Sequence, residues 1–84
     1  MYNKVFLIGR LVKDPDSRVT TSGISLTRFT IAIDRPGRKE NAVTDFINIV
    51  TWRKTAEIAN QFLKKGKLVA IEGALRIDTY EKNG

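Results

Sequence analysis

Residues 44–66 read Thr44-Asp45-Phe46-Ile47-Asn48-Ile49-Val50-Thr51-Trp52-Arg53-Lys54-Thr55-Ala56-Glu57-Ile58-Ala59-Asn60-Gln61-Phe62-Leu63-Lys64-Lys65-Gly66, and their hydrophobic period changes midway. From Thr44 to Arg53 the pattern alternates: Phe46, Asn48, Val50 and Trp52 fall on one face and Ile47 and Ile49 on the other, as in a strand. From Thr55 the spacing becomes helical, with Ile58, Ala59, Phe62 and Leu63 on one stripe and Glu57 and Asn60 off it. Thr55 suits an N-cap, Glu57 the positive first turn and Lys64-Lys65 the negative last turn. Gly66 is placed to end the helix in a left-handed conformation.

Outward from this strand-to-helix switch, the rest of the chain reads as β-structure. Residues 3–13 form a first strand, with Val5, Leu7, Gly9 and Leu11 on one face and Phe6, Ile8 and Val12 on the other beside Arg10. Two apolar faces suit a strand covered on both sides, one of them by a second subunit. Asp14-Pro15-Asp16 stops it. Residues 18–34 read as one long strand, interrupted at Ser22-Gly23, in which Phe29, Ile31 and Ile33 alternate with Arg28, Thr30 and Ala32. The charged, turn-rich segment 35–41 is a loop. A fourth strand is expected over 67–80, with Gly73 marking a bulge or sharp bend. The chain closes on Asn83-Gly84, a strong hairpin turn with no strand after it, so a fifth strand is inferred to be missing. The order is that of a mainly β OB-fold, a five-stranded Greek-key barrel with one helix between strands three and four, formed as one domain over residues 1–84. Phe29, Ile31, Ile58, Phe62 and Leu63 are assigned to the core.

Composition narrows the chemistry. The 84 residues carry 15 Lys and Arg against 9 Asp and Glu, a net charge of +6, which favours polyanionic partners, nucleic acid first. Cysteine and histidine are absent, so disulfides, thiolate metal sites and imidazole acid–base chemistry are ruled out. Neither a P-loop nor a dinucleotide fingerprint occurs, and the acidic residues are scattered rather than gathered. An enzyme is not expected, nor a metal or cofactor. No apolar run is longer than Val5-Phe6-Leu7-Ile8, far too short to span a membrane, and no signal peptide is evident. The expected location is the cytoplasm, in association with the nucleoid, with no membrane partner.

Single-strand binders combine a basic groove with aromatic faces on which bases stack, each worth about 1–3 kcal/mol and indifferent to sequence. Phe46 and Trp52 share one face of their strand, about 20 Å apart. They are either core aromatics or stacking platforms, and Ile47 and Ile49 already supply a core side. Asn48, between them, could bond a base or sugar. Tyr80, near an expected hairpin tip, is either a platform or an ordinary half-exposed tyrosine. Arg10, Arg28, Arg35, Arg38, Lys39, Arg53, Lys54 and Arg76 are the candidate phosphate contacts; each could equally be a solvated surface charge. An assembly module of the same fold and an RNA-binding OB domain stand as alternatives.

The chain also resembles bacterial single-stranded DNA-binding proteins. The resemblance rests on an ordered set of segments: Asn3-Lys4-Val5, Leu7-Ile8-Gly9-Arg10-Leu11 and Asp14-Pro15; Phe29-Thr30-Ile31-Ala32; Thr44-Asp45-Phe46, Trp52 and Ala56-Glu57-Ile58-Ala59; Leu63-Lys64-Lys65-Gly66-Lys67 and Ile71-Glu72-Gly73-Ala74-Leu75-Arg76. It covers essentially all 84 residues. It implies a homotetrameric OB-fold protein that wraps single-stranded DNA in replication, repair and recombination; the 3–12 strand, with its two apolar faces, is the expected surface of self-association. Bases would stack on Phe46, Trp52 and Tyr80. The 35–44 loop departs from the pattern in carrying no aromatic, where some relatives place a stacking Trp. The family's acidic C-terminal tail is absent, so partners recruited through it are not expected.

Overall fold

In a computed structural model, which describes residues 1–37 and 42–77, the elements run β1 (Val5–Leu11), β2 (Asp16–Val19), β3 (Ser25–Asp34), β4 (Thr44–Trp52), α1 (Arg53–Phe62) and β5 (Leu68–Gly73). All five strands join one antiparallel sheet. β3 is its spine. One edge pairs with β4 along nearly its whole length, from Leu26↔Trp52 to Asp34↔Thr44. The other edge is shared in succession by β1 (Arg10↔Ala32, Leu11↔Ile31) and β2 (Asp16↔Arg28 to Val19↔Ser25). β5 extends the sheet beyond β1, in unbroken register from Val5↔Gly73 to Arg10↔Leu68. This curled sheet with a single helix before its last described strand is the OB-fold layout.

The strand expected over 18–34 is two strands. Thr20–Ile24 makes a tight turn, closed by the Thr20 N–H to the Ile24 carbonyl at 2.9 Å and the Gly23 N–H to the Thr20 carbonyl at 2.9 Å. Gly23 adopts φ +82 there, a left-handed conformation that glycine reaches without steric cost. The helix therefore lies between the fourth and fifth described strands rather than the third and fourth. β1 ends at Leu11, ahead of Asp14-Pro15 as the sequence suggests, but the chain keeps to the same edge of β3. The Val12 N–H still reaches the Thr30 carbonyl at 3.0 Å, and β2 resumes on the same edge of β3 with its register advanced by two residues.

Alternation decides what is buried. Leu7 and Leu11, Phe29, Ile31 and Ile33, Ile47 and Ile49, and Val69 and Ile71 all face inward, around a fully buried Ile31. The helix meets this face through small residues. Ala56 and Ala59 are buried, letting α1 approach β3 and β4 closely. Thr27, also fully buried, donates its hydroxyl to the Ala56 carbonyl at 2.8 Å, tying helix to sheet. Ile58 and Phe62, expected in the core, are instead 50% and 57% exposed. No ladder joins β4 to β5 among the described residues, and an open apolar groove of about 1110 Å³ lies between those strands and α1. Ile58 and Phe62 line this groove instead of the close Ala56–Ala59 contact.

The helix also begins and ends earlier than its sequence suggests. It starts at Arg53 directly from β4, with Trp52 as N-cap and no side-chain cap, so Thr55 lies inside the helix and Glu57 beyond its first turn. It ends at Phe62, leaving Lys64 and Lys65 outside; Lys67 Nζ reaches back to the Phe62 carbonyl at 3.0 Å. Gly66 does take a positive φ (+87), but in the Lys64–Lys67 turn, where the Lys67 N–H meets the Lys64 carbonyl at 3.1 Å. β5 stops at Gly73 in regular register, without a bulge, short of the expected residue 80. Past it the Asn3 amide clamps the chain, donating to the Leu75 carbonyl at 2.7 Å and accepting from its N–H at 3.0 Å.

Candidate nucleic-acid interface

With the odd-numbered positions of β3 and β4 turned inward, the even ones form the outer face. Phe46, Asn48, Val50 and Trp52 are all exposed on β4, Phe46 by 67% and Trp52 by 47%. The core reading of these two aromatics is not what the structure shows. Cross-strand register sets their neighbours in rows, because directly opposed residues share a face. Phe46 lies opposite Ala32, which lies opposite Arg10 on β1. Asn48 faces Thr30 and accepts its hydroxyl at 2.8 Å, so the amide is fixed in place. Val50 faces Arg28, and Trp52 faces Leu26.

The sheet thus gathers Phe46, Asn48, Trp52, Arg10 and Arg28 on one face. Arg10 and Arg28 are both exposed; Arg10 is steadied by donating Nη1 to the Gly66 carbonyl at 3.1 Å. Arg53 and Lys54, exposed too, stand at the β4–α1 junction next to Trp52. Arg53 has φ 57, the one non-glycine residue with positive φ among those described. Such a conformation costs an L-residue about 1–2 kcal/mol, and here it turns the chain from strand to helix without a loop. Arg76 lies beyond β5, on the lining of the groove. Arg38, Lys39 and Tyr80 fall outside the described residues.

Arg35 is occupied. Its Nε and Nη2 donate to the two Asp45 carboxylate oxygens at 2.8 and 2.9 Å. The hydrogen bond to Asp45, with its charge, raises the Arg35 pKa, and the hydrogen bond from Arg35 chiefly lowers that of Asp45. The Arg35 N–H bonds the Val43 carbonyl at 2.8 Å, and the Thr44 hydroxyl the Asp34 carboxylate at 2.7 Å. Arg35 braces the base of the β3–β4 connection.

One cation of this face escaped the sequence reading. Arg18 on β2 lies opposite Leu26, in the row that ends at Trp52. Read as part of a single 18–34 strand, Arg18 is eight residues from Leu26 and far along the sheet; the hairpin folds it alongside. The turn signal at Ser22-Gly23 was the feature that could have revealed it.

Comparison with known proteins agrees with this architecture. Residues 2–84 match the sequence model of the Single-strand binding protein family. The chain is similar to the "Single-stranded DNA-binding protein" of Thermotoga maritima, 49% identical over 84 residues that make 95% of this chain and 60% of that one. It is also similar to "Single-stranded DNA-binding protein 2" of Listeria monocytogenes, 45% identical over 99% of this chain and 53% of that protein. To "Single-stranded DNA-binding protein A" of Bacillus subtilis it is 45% identical over 96% of its length and 48% of the other's. It therefore spans about half of the length of the curated relatives it matches. A β-sheet spine with an exposed aromatic face, matched end to end by the family's sequence pattern, places this chain in the single-strand binding protein family.

Proposed function

We propose that this domain binds single-stranded DNA without sequence preference, by stacking bases on Phe46 and Trp52 and contacting phosphates through Arg10, Arg28, Arg53 and Lys54. The observation that carries the reading is the exposure of two large aromatics on one sheet face with arginines in the neighbouring rows. An unliganded domain gains nothing by leaving such surface in water, whereas a single strand offers a π-face at every base and a phosphate at every step. The names of the relatives point to the same ligand. The domain holds unpaired strands, without catalysis, in the cytoplasm during replication, repair and recombination. Arg38, Lys39, Arg76 and Tyr80 are further proposed contacts.

Self-association into a homotetramer is part of the same proposal. Phe6 and Ile8 on the outer face of β1 are 65% and 53% exposed, and Leu68 on the adjoining β5 is exposed as well. A second copy laid on this patch would cover them. A monomeric mass in light scattering at micromolar concentration would exclude it.

The chain has one tryptophan, so fluorescence titration with oligo-dT reads a single site. Strong quenching that weakens with salt, and that duplex DNA of equal length does not produce, is expected. Salt-sensitive binding without quenching would remove Trp52 from the contact. No binding to oligo-dT would refute the function, and equal or tighter binding of oligo-U would move it to RNA.

A further inference from the structure

Two charged side chains on the β2–β3 hairpin belong to the outer face and have so far no role. Arg18 and Asp16 are alternate residues of β2, so both point to the same side of the sheet. That side is the aromatic one: Arg18 is in register with Leu26 and through it with Trp52, and Asp16 with Arg28 and through it with Val50. Two strand spacings put the Arg18 backbone about 10 Å from that of Trp52, within reach of the phosphate of a nucleotide stacked on the indole. The Arg18 guanidinium is held at present by a carboxylate: its Nε donates to Asp16 Oδ2 at 3.1 Å, with both side chains more than half exposed.

We propose that the nucleic-acid surface extends onto this hairpin, where Arg18 takes a backbone phosphate beside Trp52 and Asp16 competes for the same guanidinium. The inference rests on the single-strand reading above and adds to it a residue and a brake. A carboxylate and a phosphate offer a guanidinium the same paired acceptor oxygens. Exchanging one for the other leaves no donor unsatisfied, and the released carboxylate returns to water. The exposed Arg18–Asp16 pair is weak enough to be displaced. It also holds the guanidinium on the aromatic face when no strand is present. Asp16 lies opposite Arg28 across the ladder, but the guanidinium it holds is that of Arg18, so its competition with a phosphate is felt at Arg18.

The test is oligo-dT titration, read by Trp52 fluorescence over a salt series, for the wild type, Arg18→Gln, Asp16→Asn and the double variant. Arg18→Gln is expected to weaken binding about threefold and to reduce the slope of log K against log salt by about 0.7, one phosphate contact on a single strand. Asp16→Asn is expected to tighten binding about twofold, a gain that misfolding cannot imitate. In the Arg18→Gln background that gain should vanish. Wild-type binding with unchanged affinity and slope in Arg18→Gln overturns the extension alone. So does an Asp16→Asn gain that survives without Arg18, since the acid would then act as a general charge. A wild-type domain that does not bind oligo-dT overturns the single-strand reading and the extension with it.

Discussion

Gly9→Ala is expected to be the most damaging single-methyl change in the described sheet. A Cβ at Gly9 would sit 2.6 Å from the Ala32 carbonyl oxygen and 2.9 Å from Ile33 Cγ1, where ordinary contact begins at 3.4 Å. The overlap with Ala32 cannot be relieved by a rotamer, because the obstructing atom is backbone, in a strand laddered on both edges. β1 must therefore move off β3, loosening Arg10↔Ala32 and Leu11↔Ile31 and lifting the buried Leu11 from the core. Overpacking of this kind costs typically about 1–3 kcal/mol, and a backbone obstacle argues for the upper end. A domain of this size has about 4–12 kcal/mol of stability in all, and each kcal/mol moves its melting temperature by about 4–8 °C. The expected loss is roughly 10–20 °C in a far-ultraviolet circular dichroism melt. Because Ala32 sits between Arg10 and Phe46 in its row, oligo-dT affinity should fall as well, even where the variant is folded. Gly73→Ala is the control: nothing lies within 4 Å of its Cβ position and its φ is negative, so its melt should stay within about 2 °C of wild type. A Gly9→Ala melt as small as the control's would show that β1 and β3 do not approach as closely as described.

Two further outcomes probe the joints of the fold. Thr27→Val keeps the shape of a fully buried side chain but removes the hydroxyl that bonds the Ala56 carbonyl and meets Ser17 Oγ at 3.1 Å; a loss of about 1–2 kcal/mol in denaturant unfolding is expected, and an unchanged midpoint would mean the bond does not hold the helix. Since the folded-state pKa of Asp45 is lowered by Arg35, the pair's stabilisation is present above the unfolded value near pH 4 and lost as pH falls through the folded value. The difference in melting temperature between wild type and Asp45→Asn should therefore be constant above about pH 5 and vanish in strong acid. A difference that persists undiminished there would show that the carboxylate's charge is not its source.

What was legible in the chain itself was whatever repeats over a few residues. The alternation of Phe46, Ile47, Asn48 and Ile49 announced the strand and which residues share a face, because a strand's side chains alternate whatever it pairs with; which face meets water was decided by the packing. The jump to helical spacing placed α1 between strands for the same local reason. Strand partnership, register and the depth of the helix depend on residues far apart in the chain, and there local pattern misled. The hydrophobic stripe of α1 put Ile58 and Phe62 in the core, but burial went to Ala56 and Ala59, whose small side chains allow the helix to sit close against β3 and β4. Gly73 stood out in the sequence as a structural glycine, yet among the described residues it is Gly9 that is crowded by its neighbour strand, a constraint that exists only once β1 lies on β3. Arg35 looked like the other cations until the β3–β4 pairing brought Asp45 across to it. Composition and alternation determined a basic, mainly β domain with two aromatics on one face of a strand. Only the pairing of distant segments decided which arginines share a face with Trp52, because a cation becomes part of a site through cross-strand neighbours that no local period encodes.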